Sequence, residues 1–360
     1  MGFVRFEKFV CAVAKNYFCH LFCQILNKIL VIRFSSIGDI VLTTPVLRCI
    51  KKQLDGVVLH VVTRAAHQKM LENNPYIDRV FGFKTDLDEV VPALKAQQYD
   101  HIVDLHKNLR SFLLIHKLKR PSTSFPKFNL KKYLFVRFKL DLMPKLHIVD
   151  RYFEAVKKLG VQNDQQGLDY FIPEDQQIAK TELPPAYRLG YIAVVIGGKH
   201  LTKVLPAHKV IEVLTRLNLP SVLLGGPEDK ERGDSIVAAL NERVWNTCGE
   251  FSLDQSASLI QHSKAVLTND TGLMHIAAAL QKPILSVWGN TVPSFGMYPY
   301  MPKKIGQSVI VENNALSCRP CSKIGFDRCP KGHFKCMNEL DAAIMATKLN
   351  QISQLQQKDC

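Results

Sequence analysis

Three glycine-bearing turns carry the clearest chemistry in this chain: VIGGKHLTK, LLGGPED and TNDTGLMH. Each ends an apolar run and opens a helical one. Glycine lets backbone approach a ligand, and a helix start offers free N–H groups and a partial positive charge. That combination holds phosphate. In the first turn Gly197 and Gly198 precede Thr202 and Lys203, and Lys203 could add a full charge to a diphosphate. In the second, Gly225 and Gly226 precede Glu228 and Asp229, either of which could accept ribose hydroxyls. In the third, Asp270, Thr271 and Gly272 sit between strand and helix, with His275 in the first helical turn. Asp270 or Thr271 could instead only cap that helix, and His275 could be a packing residue. One Gly-Gly turn means little, but three in successive crossovers point to a nucleotide site.

A second group lies in the N-terminal half. In IRFSSIGDIVLTTPVLRCIKK a lone carboxylate, Asp39, follows an apolar strand on a turn of small residues, Ser35, Ser36 and Gly38. The small residues leave room for a substrate. The competing reading is that Asp39 caps a helix beginning near Thr43 or Thr44. YDHIVDLHKNLRS ends another strand with Asp104, His106, Lys107 and Arg110, which would face the same cleft as Asp39 and suit an anionic acceptor. Arg64, closing the second strand, joins this acceptor-side set. Ordinary loop polarity is the alternative for these strand-end residues. Cys318, Cys321, Cys329 and Cys336 form a CxxC pair and a wider second pair, so structural zinc, a redox pair and plain thiols all stay open. No GxGxxG follows the first strand, which argues against a dehydrogenase.

The elements that must hold these residues alternate. KILVIRF, VVLHVVT, RVFGF and HIVDLH read as strands buried on both faces, with TPVLRCIKKQL, AAHQKMLEN and LDEVVPALKAQ as helices between them. After a basic, aromatic stretch from 120 to 160, read as two amphipathic helices with solvated lysines and as a cationic face near an acidic ligand, and a proline-bearing linker at 161–190, the alternation restarts. YIAVVIGG, SVLLGG, KAVLTND and PILSVWG are its strands. The expected class is α/β, two domains of parallel sheet and helix facing each other across a cleft, with ligands at the carboxyl ends of the strands. The expected boundaries are an extension at 1–27, an N-terminal domain at 28–172, a C-terminal domain at 185–338 and a helix and tail at 339–360.

The chain has 360 residues, 47% hydrophobic and 22% charged, with 47 Lys plus Arg against 32 Asp plus Glu, a net +15. That composition is globular, and that balance suits an anionic partner. No apolar run is long enough to span a membrane. Residues 1–26 read as an extension, or as an amphipathic helix lying on a membrane. The scattered remaining cysteines, without a signal peptide, fit a reducing cytoplasm.

ILVIRFSSIGDIVLTTPVLRCIKK together with LTNDTGLMHIAAALQKPILSVWG resembles glycosyltransferase family nine, the lipopolysaccharide heptosyltransferases. The likeness runs from about Lys28 to the C-terminal helix. The resemblance implies a GT-B fold of two Rossmann-like domains and inverting transfer of a heptose-type sugar from an ADP-sugar donor to the lipid A–inner core acceptor. It makes Asp39 the catalytic base. It places the donor on Gly197, Gly198, Thr202, Lys203, Gly225, Gly226, Glu228, Asp270, Thr271, Gly272 and His275. It places the acceptor on Ser35, Ser36, Gly38, Arg64, Asp104, His106 and Arg110. Leu205 departs from the family pattern, which has an aromatic before the helix proline. No cofactor or catalytic metal is implied, nor nucleic acid. The expected setting is the cytoplasmic face of the inner membrane, where the enzyme is peripheral. A nucleotide-sugar epimerase on the same plan, or a non-catalytic anion- or membrane-binding paralogue, are the competing readings.

Overall fold

A computed structural model describes residues 27–355; the segment read as an extension or amphipathic helix lies outside them. β1 (Lys28–Ile32) leads through Ser36 into a five-residue helix, α1 (Ile37–Val41), then α2 (Thr44–Gln53). β2 (Val58–Arg64), β3 (Arg79–Phe83), α3 (Val91–Ala96), β4 (His101–Asp104), α4 (Leu109–Leu118) and β5 (Ser122–Ser124) complete the first unit. Its five parallel strands run in the order β3-β2-β1-β4-β5. β1 lies in the middle with every residue from Ile29 to Ile32 fully buried, the environment its unbroken apolar run requires.

The basic stretch then forms α5 (Asn129–Phe138) and α6 (Ile148–Phe153). Only the first is a surface helix. Ile148, Val149, Tyr152 and Phe153 of α6 are buried, so this segment is a core element, and the expectation of an amphipathic helix here is corrected. α6 also joins the two halves: the Ile148 N–H donates to the Gly296 carbonyl at 2.7 Å, and Arg151 donates to the Phe295 carbonyl at 2.8 Å. Residues 161–190 contain only single 3₁₀ turns.

The second unit comprises β6 (Ile192–Val195), α7 (Ala207–Leu214), β7 (Ser221–Leu224), α8 (Lys230–Leu240), β8 (Val244–Asn246), α9 (Leu253–His262), β9 (Ala265–Asn269), α10 (Gly272–Ala279), β10 (Ile284–Trp288) and β11 (Ser308–Glu312). Its six parallel strands run β11-β10-β9-β6-β7-β8. The final helix, α11 (Ala342–Ser353), packs Met345, Leu349 and Ile352 into this unit's core. Another core cluster crosses between the units, uniting Ile29, Ile40 and Tyr152 with Ala193, Val195 and Ile276.

Candidate active site between the two sheets

α1 and α10 meet across the cleft, glycine against glycine. A β-carbon on Gly38 would lie 2.6 Å from Cδ2 of His275, and one on Gly272 would lie 2.7 Å from the Ile37 side chain. Neither position admits a larger residue without parting the helices. The Asp39 turn and the Asp270–Gly272 turn are thus brought together, as the sequence pattern anticipated.

Asp39 does not sit before a helix at Thr43. It lies in the first turn of α1, where its Oδ2 accepts from the Ser36 hydroxyl at 2.9 Å and the Ser36 N–H at 3.3 Å. The helix-terminus role is therefore real, on a short helix where the sequence pattern suggested only a turn. Oδ1 pairs with Arg33 at 2.7 Å. Burial by itself would raise the Asp39 pKa; Arg33 and Ser36 outweigh it and hold the carboxyl below its ordinary value. Arg33 is itself fixed: it donates to the Ser35 carbonyl at 2.9 Å, the Leu105 carbonyl at 2.5 Å and the Tyr152 hydroxyl at 3.1 Å. Sequence reasoning missed Arg33. The available signal was one cation closing an otherwise apolar central strand.

On the opposite side, the three glycine turns leave the adjacent central strands β9, β6 and β7. Asn269 ties the first and third turns, those after β6 and β9, together. Its amide donates to the Val195 and Gly197 carbonyls at 3.1 and 3.3 Å, and its oxygen accepts from the Leu205 N–H at 3.0 Å. Lys203 reaches Asp270 at 2.7 Å, and Thr291 donates to the same carboxyl oxygen at 2.9 Å. The Thr271 hydroxyl and Nδ1 of His275 are buried without a partner among the described residues. Burial pushes His275 down to about 4, so the ring is neutral at physiological pH. Gly226 N–H donates to Asp229, which is buried and also binds Arg232, while Glu228 is exposed on the turn. Of the two carboxylates on this turn, Glu228 is the one exposed to solvent, and Asp229 holds the loop. Thr202 is corrected: its hydroxyl donates to the Phe326 carbonyl at 2.9 Å and accepts the Phe326 N–H at 2.8 Å, so it anchors the 318–326 loop.

The acceptor-side set divides. Ser36 and Gly38 belong to the α1 turn itself, and the Ser35 carbonyl is held by Arg33. Arg64 and Arg110 are exposed at the ends of β2 and the start of α4. Asp104 is corrected as well. Its carboxylate accepts from the His106 and Lys107 N–H groups at 2.9 and 2.7 Å and from the Ser111 hydroxyl at 2.7 Å, and it is 4% exposed. It closes its own turn and has no free face for a ligand. His106 packs on Phe34 at 4.8 Å and is driven to about 4 by burial, with Nδ1 unpaired. Cys318, Cys321, Cys329 and Cys336 are free thiols, Cys336 lies in the apolar core, and no metal-holding group of His, Cys, Asp or Glu occurs among the described residues.

Two parallel α/β units facing each other, with the site built from turns of both, define a GT-B glycosyltransferase fold. The model of glycosyltransferase family 9 (heptosyltransferase) matches residues 89–325, and the chain belongs to that family. It is 47% identical to lipopolysaccharide heptosyltransferase 2 of Escherichia coli over 78 residues, a match spanning 22% of that relative's length. It is 25% identical to lipopolysaccharide heptosyltransferase 1 of Pseudomonas aeruginosa over 82% of this chain and 86% of that one. The solved ADP-heptose LPS heptosyltransferase II of E. coli superposes with a TM-score of 0.68 at 21% identity, covering 92% of this chain and 100% of the other.

Proposed function

We propose that this protein transfers a heptose-type sugar from an ADP-sugar to a lipid A–inner core acceptor, with inversion at the anomeric carbon. The observation that carries the reading is the meeting of α1 and α10, which sets an ionised carboxylate opposite a phosphate-type turn. An acceptor hydroxyl gives its proton to Asp39 as its oxygen bonds to the anomeric carbon, and the bond to the diphosphate breaks on the far face. Lys203 and the backbone N–H groups of residues 270–272 receive the departing charge. Family membership and the ADP-heptose enzyme sharing the fold support this donor and acceptor over the epimerase and paralogue readings. The test is release of ADP from ADP-heptose with and without acceptor, with the product's anomeric configuration read by NMR. Absence of transfer from any ADP- or UDP-sugar overturns it.

Lys203→Ala is expected to weaken ADP binding by about 1–3 kcal/mol, the range for a charge-assisted contact. The upper half is favoured because Asp270, mostly buried, is left beside the phosphates without its cation. Calorimetry with ADP checks this, and unchanged affinity moves the diphosphate elsewhere.

The reading includes attachment to the cytoplasmic face of an anionic membrane, although no helix of the described residues is long and apolar enough to cross one. In the basic stretch after residue 120, Lys127 and Lys139 are bound to carbonyls and Lys132 lies over the Phe295 ring. The outer surface instead exposes Leu109, Phe112 and Leu113 of α4 and Leu130, Tyr133 and Phe138 of α5, beside Arg110 and Arg137. Vesicle sedimentation is therefore expected to show binding that high salt weakens without abolishing, and that Phe112→Ser with Leu130→Ser reduces further. Complete loss in salt removes the apolar contribution.

A further inference from the structure

α5 bridges the two units. At its entry Lys127 donates to the His106 and Lys107 carbonyls, both at 3.1 Å; at its exit Lys139 donates to the Cys318 and Pro320 carbonyls at 3.0 and 2.7 Å. Between α5 and the 318–326 loop lies a cavity of about 200 Å³. Lys132 and Lys323 line it, with Tyr133, Val136, Ser322 and Phe326.

The charges around this cavity do not balance. Lys132 lies 5.5 Å above the Phe295 ring and has no ion pair or hydrogen bond among the described residues. The strongest charges acting on it are those of Arg151, Asp39, Lys127 and Lys323, and the acid among these is already paired with Arg33. Arg151, 1% exposed, keeps Nε and one terminal nitrogen unpaired. Its other terminal nitrogen binds the carbonyl of Phe295, the residue whose ring lies under Lys132. Burial, then Arg151, pushes Lys132 down to about 8. Holding a half-buried lysine beside a buried arginine, with Asp39 already paired and the exposed Lys323 at the mouth, is unfavourable unless an anion joins them.

We propose that this cavity is an oxyanion subsite in which Lys132 and Lys323 grip an acidic substituent, carboxylate or phosphate, of the acceptor glycolipid beside the hydroxyl that reacts at Asp39. This rests on the acceptor reading above. The donor diphosphate has its own turns at 197–203 and 270–272. The two subsites share the 318–326 loop, which Thr202 anchors through Phe326.

The experiment begins without any acceptor. Protein saturated with ADP is treated at pH 8 with trace acetic anhydride, with and without inorganic phosphate, at ionic strength matched with chloride. Acetylation of each lysine is read by peptide mass spectrometry. A bound anion favours the protonated amine, so phosphate is expected to slow acetylation of Lys132 several-fold while fully exposed lysines are unaffected. An unchanged rate at Lys132 overturns the subsite. In the kinetic arm, Lys132→Met and Lys323→Met are each expected to raise the acceptor KM by about tenfold to a hundredfold, with ADP affinity unchanged and Lys132→Arg restoring most of the loss. Phosphate protection with an unaltered acceptor KM overturns the assignment to the acceptor and leaves a site for free phosphate. Because the labelling needs no turnover, loss of the transfer reading and loss of the subsite give different results.

Discussion

Asp39→Asn lowers single-turnover transfer by about 10²–10⁴-fold, the worth of a general base. Asparagine keeps the shape and an oxygen for Ser36, so ADP binding is expected to stay unchanged. Stability falls modestly, because Arg33 loses its carboxylate but retains the Ser35, Leu105 and Tyr152 oxygens. A carboxylate held low is a weak proton acceptor at equilibrium. Its value here lies in position, and in taking the proton only as the glycosidic bond forms. The pH dependence follows in sign. Burial favours the acid form of Asp39, but Arg33 and Ser36 outweigh it, so the folded pKa is depressed. The stabilisation from that shift is complete above the unfolded pKa, about 4, and is lost as pH falls through the folded value. The acid limb of the rate profile lies correspondingly low. Arg33→Met leaves only the weaker opposition of the Ser36 hydrogen bonds to burial and moves that limb to higher pH. A near wild-type rate for Asp39→Asn shows that Asp39 is not the base.

Arg48→Met costs about 3–5 kcal/mol of folding free energy, as expected for stripping the cation from a largely buried ionic cluster. Arg48 is 3% exposed. It binds both oxygens of Asp164 at 2.8 Å, the Gly167 carbonyl at 2.9 Å and the Asp169 carboxylate. Burial and Arg48 act oppositely on the two acids. Arg48 prevails at Asp164, which is held low, whereas burial prevails at Asp169, which is raised. Removing the arginine leaves two carboxylates facing each other. The cluster fastens α2, directly behind the Asp39 turn, to residues 164–169, and Gly167 in turn packs near Gln281 of the second unit. Urea unfolding at neutral pH measures the loss; a change below about 1 kcal/mol would show that Arg48 is replaceable by packing alone.

Local pattern determined more than the architecture. Unbroken β-branched runs such as KILVIRF and KAVLTND can only be strands buried on both faces, and helices between them impose parallel sheets. Glycine turns at the ends of such strands announce themselves because the backbone conformation and close approach they serve are local properties. Hence Asp39, Lys203 and Asp270–Gly272 were legible as strand-end residues before any coordinates. The edge strands β5, β8 and β11 were not recognised, since an edge of three to five residues carries little burial signal. Tertiary structure alone decided which polar residues are free. Asp104 and Thr202 look like ligand groups in sequence, but the folded chain consumes them in its own turns. Arg33 looks incidental, yet it fixes the charge of Asp39 through oxygens 72 and 119 residues away. Lys132 reads as one of several solvated lysines until α5 is laid across the cleft beside Arg151. For Arg33 and Thr202, what a polar group binds depends on partners 72 to 124 residues away, and pairing over such distances exists only once the chain has folded.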